Sequence, residues 1–423
     1  MPSLDKFIIR GGNRLDGTVT ISGAKNASLA LMPAALLASG VTRLENTPRL
    51  RDISTMSALL ERMGVVVRHP GTSLELDTSN ITSYEAPYEM VKKMRASFYV
   101  LGPLVGRFGQ ARVSYPGGCA WGPRPVDLHL KALEALGADI QIESGYVLAS
   151  AKRLRGADIT FDVSSVGATG NTLMAAVLAE GTTVIRNAAT EPEITQLVSF
   201  LLRMGARIDG VGTNLLTVEG VGELQPANDS NIPDRIEAGT FLAAAAAAGG
   251  RITLEHVDPR HLTAVLAKLR DAGCTVHTGD DTITLESPDR LSPVDVTTAI
   301  YPGFPTDMQA QWMALMSAAP GTSVVTDTVY LDRFNHVPEL QRLGARIEVN
   351  RNAAIIRGVE RLTGATVMST DLRASASLII AGLIADGTTE VLRVYHIDRG
   401  YEAIELKLRN LGADIQRVDS EDY

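Results

Sequence analysis

The sequence predicts an α/β protein made of six copies of one module, and three observations carry that expectation. A Leu-containing helix end, with Arg in every copy but the second, runs into Gly and then a β-branched strand at Gly64, Gly137, Gly205, Gly273, Gly344 and Gly412, with intervals of 68 to 73 residues. An Ala-rich apolar run ends in Gly before a short strand at Gly40, Gly109, Gly181, Gly250, Gly321 and Gly387. The chain is 423 residues long and 45% hydrophobic, which suffices for more than one large core. Ordinary solenoid repeats span about 20–50 residues, so each copy here is large enough to be a small α/β unit.

Within a copy the elements follow in order. The Ala-rich run, such as LALMPAALLASG, LMAAVLAEG or LIIAGLIADG, has little polar surface on any face, so its helix should be buried. Gly ends it, because the position after a helix favours a left-handed backbone. A short strand (GVTRL, GTTVI, GTTEV) comes next, then an amphipathic helix closed by the second Gly, then further strands. Each copy reads as a βαβαββ module, and six divide most simply into two sets of three. The least compact stretch, LQPANDSNIP at 224–233, falls near the midpoint and marks a crossover.

Composition narrows the function. Asp and Glu number 48 against 40 Lys and Arg, which disfavours a general nucleic-acid binder. Only two cysteines occur, and the seven histidines form no HExxH or zinc-spaced cluster, so neither a disulfide framework nor a metal site is expected. No Walker loop or dinucleotide fingerprint is present, and no cofactor is expected. The N-terminus lacks a signal-peptide core, and no apolar run approaches the roughly 20 residues of a membrane span. A cytoplasmic protein with no membrane partner is the expectation.

Polar residues gather where the Ala-rich helices begin: Ser22–Asn26, Met94–Ser97, Ser165–Thr169, Asp234–Glu237, Thr306–Gln309 and Asp371–Ala374. Capping explains Ser, Thr and Asp. It does not explain Lys25, Arg95, Arg235 and Arg373, since the helix dipole disfavours cations at that end; anion binding does. The segment 115–125, YPGGCAWGPRP, reads as a loop around Cys119, five residues from Arg124, which makes that thiol a candidate proton-transferring group. Cys274 reads as a small buried hydrophobe. Asp307, entered through YPGFPT, suits a general base and equally a helix cap.

The motifs SGAKNASL, PGGCAWGPRPVDLHL, SVGATGNTLMAA, DRIEAGTF, YPGFPTDMQAQ, DRFNHVPEL, TDLRASASL and HIDRGYE, in that order, resemble the UDP-N-acetylglucosamine enolpyruvyl (carboxyvinyl) transferases over essentially the whole chain. The sister enolpyruvylshikimate phosphate synthases carry PGSKS at the first motif and lack the PGGC loop. The resemblance implies an inside-out α/β barrel of two domains, 22–232 and 1–21 plus 233–423, with the active site in the cleft between them. It implies transfer of the enolpyruvyl group of phosphoenolpyruvate to the 3-hydroxyl of UDP-N-acetylglucosamine, the first committed step of peptidoglycan synthesis. By position it implies that Lys25, Asn26, Arg124 and Arg399 hold phosphoenolpyruvate and that Arg95 contacts the sugar nucleotide. Arg124, Pro125, Val126, Asp127, Leu128 and His129 would hold uridine and diphosphate, and Ser165, Val166 and Gly167 the diphosphate. Asp307 and Val329 would meet the sugar, Asp307 as base and Cys119 as proton donor. Arg235, Arg333, Asp371 and Arg373 would support the site or its closure. Val163 departs from the family pattern, where a Lys is common, and Trp121 is bulkier than the usual aliphatic.

Overall fold

The computed structural model describes residues 5–116 and 126–419. The chain divides into two compact units, Gly23–Ile232 and Met1–Ser22 with Pro233–Tyr423. The repeat is visible in the backbone. All twelve periodic glycines have positive φ, between 70° and 129°, so each occupies a conformation that a side chain would strain. They end the helices at the spacing read from the sequence.

Among the described residues, each unit contains three four-stranded sheets of one pattern. The sheet of 41–45, 66–68 and 74–77 illustrates it. The middle strand Leu74–Asp77 pairs antiparallel with both neighbours, and a fourth strand lies parallel to Val41–Glu45. That fourth strand is Asp229–Ser230, the far end of the same unit, which closes the set of three. In the other unit closure uses the N-terminus. Gly17–Thr20 lies parallel to Arg251–Glu255, and Lys6–Arg10 takes the middle place between Thr388–Leu392 and Asp414–Val418. Borrowing these strands fills edges that would otherwise present unpaired backbone.

The Ala-rich segments form the buried helices. In the unit containing the C-terminus these are Arg235–Ala248, Gln309–Ser317 and Leu372–Ile384, which pack against one another and each against its own sheet. Gln309–Ser317 has no exposed residue. Their Ala, Gly and Ser side chains permit close approach, while Trp312, Phe241 and Leu378 fill the core. In the other unit Lys25–Ala34, Leu101–Phe108 and Val166–Ala176 are the corresponding helices. Two of the six open differently from a plain α-helix. Arg95–Val100 and Thr306–Met308 are 3₁₀ turns before the α-helical part, the tighter winding common at helix starts. Among the described residues, no helix is long and apolar enough to cross a membrane.

Candidate functional site

The polar helix starts become specific structures. Ser165, Asp234 and Asp371 are N-caps: their side chains accept from the amides of Ala168, of Ile236 and Glu237, and of Arg373 and Ala374. Asp371 is therefore built into a helix end, as capping chemistry requires. The cations stand immediately beyond the caps. Lys25 and Arg235 are the first residues of their helices, and Arg373 is the second of its own. Arg235 lies over the Tyr301 ring, 5.5 Å from its centroid.

In the Gly23–Ile232 unit, Lys25 is buried and its Nζ lies 3.2 Å from Asp52 Oδ2. Asn26 follows it, half-buried. A second group forms where Arg95–Val100, Asp127–Ala135 and Val166–Ala176 meet. Val126 is buried just before the middle helix; Asp127 and Leu128 are exposed and half-buried in its first turn. His129 is buried, with Nδ1 2.9 Å from Asn171 Nδ2 and its ring edge-on to Phe98. Burial first, then the nearby Arg95 cation, push its pKa down to about 3. A Cβ on Gly167 would meet the ring at 2.9 to 3.0 Å, so only glycine admits the imidazole there. The Val166 carbonyl accepts from Tyr99 Oη at 3.3 Å.

In the other unit the centre is Asp307. Its Oδ1 accepts from Arg333 Nη1 and its Oδ2 from Arg373 Nη2, both at 2.8 Å. Burial alone would raise its pKa, but the Arg373 and Arg333 guanidiniums outweigh that and hold it well below the usual carboxylate range. Each arginine is anchored in turn. Arg373 Nη1 donates to the buried Tyr401 hydroxyl at 3.2 Å. Arg333 Nη1 donates to Thr306 Oγ1, whose own proton goes to buried Asp327. Asp327 also accepts from the amides of Val329 and Tyr330, so it sets the turn that leaves Val329 exposed. Arg399 ends the 3₁₀ turn Val394–Arg399 and is half-buried. Cys274 is buried and its thiol pushed up to about 11 by burial, as befits an inert core group. Cys119, Arg124 and Pro125 lie outside the described residues. Among the described residues no cluster of three His, Cys, Asp or Glu groups could hold a metal ion.

Residues 9–408 match the EPSP synthase (3-phosphoshikimate 1-carboxyvinyltransferase) family. A relative from Chloroherpeton thalassium is 60% identical over 423 residues, covering 99% of both chains. One from Prosthecochloris aestuarii is 59% identical, covering 99% of this chain and all of the relative. The chain belongs to the enolpyruvyl transferase family. Both relatives are named UDP-N-acetylglucosamine 1-carboxyvinyltransferase. Among solved structures, the enolpyruvyl transferase NikO from Streptomyces tendae aligns with TM-score 0.87 at 28% identity, covering 99% of this chain and 100% of that one. EPSP synthase from Acinetobacter baumannii aligns at 0.76 and 20% identity over 98% of this chain, a likeness of fold.

For this enolpyruvyl transferase, the sequence missed Asp52, Asn171, Asp327 and Tyr401. Asp52 stands in the first turn of the amphipathic helix Arg51–Arg62 rather than at the start of an Ala-rich one, and the other three lie away from any polar helix start. Each meets its partner across 21 to 42 residues of chain, a distance at which local patterning carries no signal.

Proposed function

We propose that the chain transfers the enolpyruvyl group of phosphoenolpyruvate to the 3-hydroxyl of UDP-N-acetylglucosamine and releases phosphate, the step that commits the sugar nucleotide to peptidoglycan synthesis. The observation that carries this is the near 60% identity, over the full chain, to relatives named for that activity. The geometry of the helix starts supports it, because anionic substrates need fixed cations and free amides.

In this reading Lys25, Asn26, Arg124 and Arg399 hold phosphoenolpyruvate. Arg95, residues 124–129 and residues 165–167 hold the uridine and diphosphate. The sugar 3-hydroxyl loses its proton and its oxygen attacks C2 of phosphoenolpyruvate. The C2–C3 π pair takes a proton at C3, for which the Cys119 thiol is the donor. The tetrahedral adduct then loses a C3 proton and the C2–O bond to phosphate, restoring the double bond as an enol ether. Positioned acid–base groups of this kind are worth about 10²–10⁴-fold in rate.

Asp307 faces the sugar in this reading, and its two arginines constrain what it does. With both guanidiniums in place it is a weak base and serves as acceptor for the 3-hydroxyl. Drawing either guanidinium toward the incoming phosphate or carboxylate raises its basicity when addition begins. Magnetic resonance of the purified product tests the reading. Two vinyl protons on a pyruvyl ether at O3 of the sugar are expected; attachment to another acceptor, with this sugar untouched, would overturn it.

A further inference from the structure

Asn171 lies on Val166–Ala176 and is fully buried, with both ends of its amide used. Oδ1 accepts from the Gly102 amide at 2.7 Å, and Nδ2 donates to the Phe98 carbonyl at 3.1 Å. A backbone N–H only donates and a carbonyl only accepts, so these two partners fix which way the amide faces. Nδ2 therefore also donates to His129 Nδ1 at 2.9 Å, and the ring proton must sit on Nε2. That nitrogen has no hydrogen-bond partner among the described residues, although His129 is only 5% exposed. It lies against Gly167, 3.0 Å from where a Cβ would stand. There the Val166 and Gly167 amides open the helix without intrahelical acceptors.

We propose that Asn171 is a positioning residue that fixes His129 as an Nε2–H donor, so that the ring and the Val166 and Gly167 amides together receive the diphosphate of the sugar nucleotide. The inference rests on the reading of residues 165–167 as the diphosphate seat. A ring free to choose its tautomer would present a lone pair to an anion part of the time. Among the described residues, the charged neighbour facing the ring is Arg95. Tyr99 shares that segment, Val166–Ala176 carries no titratable side chain, and Asp127 and Lys131 on the ring's own helix are exposed and 3.9 Å apart. Burial and Arg95 keep the ring neutral above about pH 3, so its donor role does not vary with pH in the working range.

The test is calorimetric binding of UDP-N-acetylglucosamine between pH 6 and 9 by the wild type and by Asn171→Asp. A carboxylate at 171 would accept from Nδ1–H, raising the ring pKa and turning the Nε2 lone pair toward the anion once the ring is neutral. The wild type should show a flat profile, and the variant should weaken by about tenfold or more as pH rises. Parallel profiles would overturn the proposal. ¹⁵N spectra of the unliganded wild type give a check that needs no variant. They should show Nε2 protonated and Nδ1 bare throughout this range, and the opposite tautomer would overturn it. The expected tautomer in a protein that does not bind the sugar nucleotide would instead overturn the diphosphate reading, and with it the ligand named here.

Discussion

Arg373 Nη2 donates to Asp307 Oδ2 at 2.8 Å, while the same guanidinium donates from Nη1 to Tyr401 Oη. With Arg333 on the other oxygen, one carboxylate is shared by two cations, one tied to buried Tyr401 and the other through Thr306 to buried Asp327. The cluster carries a net positive charge, suited to an anionic substrate yet held in place before one arrives.

This pairing sets an acid dependence. The folded-state pKa of Asp307 lies below the ordinary value of about 3.9. The stability it contributes is therefore complete above that ordinary value and is lost as pH falls through the folded-state value. Asp307→Asn should destabilise the protein by about 2–3 kcal/mol at pH 7, and the difference should shrink toward about pH 3. Urea unfolding of both proteins at the two pH values checks it; a difference that grows on acidification would contradict the pairing.

Tyr401 predicts a separable effect. Thr240 Oγ1 gives its proton to the Ile236 carbonyl, so the Tyr401 hydroxyl donates to Thr240 and accepts from Arg373 and Gln311. Tyr401→Phe leaves these buried groups short of partners and should cost about 1–3 kcal/mol. Arg373 keeps its bond to Asp307, so kcat should fall far less than in Asp307→Asn. Denaturation curves and steady-state rates, measured together, separate the two.

Gly167→Ala should act on binding. The added methyl would press on the His129 ring at 2.9 Å, and the ring is held by Asn171 and Phe98 and has little room to yield. Kd for UDP-N-acetylglucosamine should rise about tenfold or more, with KM for phosphoenolpyruvate nearly unchanged. Equal losses for both substrates would point to a damaged fold instead.

The periodic glycines made the repeat legible because a helix must stop at a backbone conformation few residues tolerate, and that constraint is local. Caps at Ser165, Asp234 and Asp371 were legible for the same reason. The cations beyond them stood out because they oppose the helix dipole. What holds those cations was not legible. Asp52 beside Lys25, and Tyr401 beside Arg373, are ordinary polar residues whose roles arise only when distant segments of one repeat pack together. Strand closure was hidden likewise, since nothing local in Lys6–Arg10 tells that it pairs with Asp414–Val418.

The most direct test of the account is inorganic phosphate release from phosphoenolpyruvate, with and without UDP-N-acetylglucosamine, by the wild type and by Cys119→Ala. Release should require the sugar nucleotide and should fall by about 10²-fold or more in the variant. A folded wild type that binds the sugar nucleotide but releases no phosphate would contradict the account and leave a binding protein on a transferase fold.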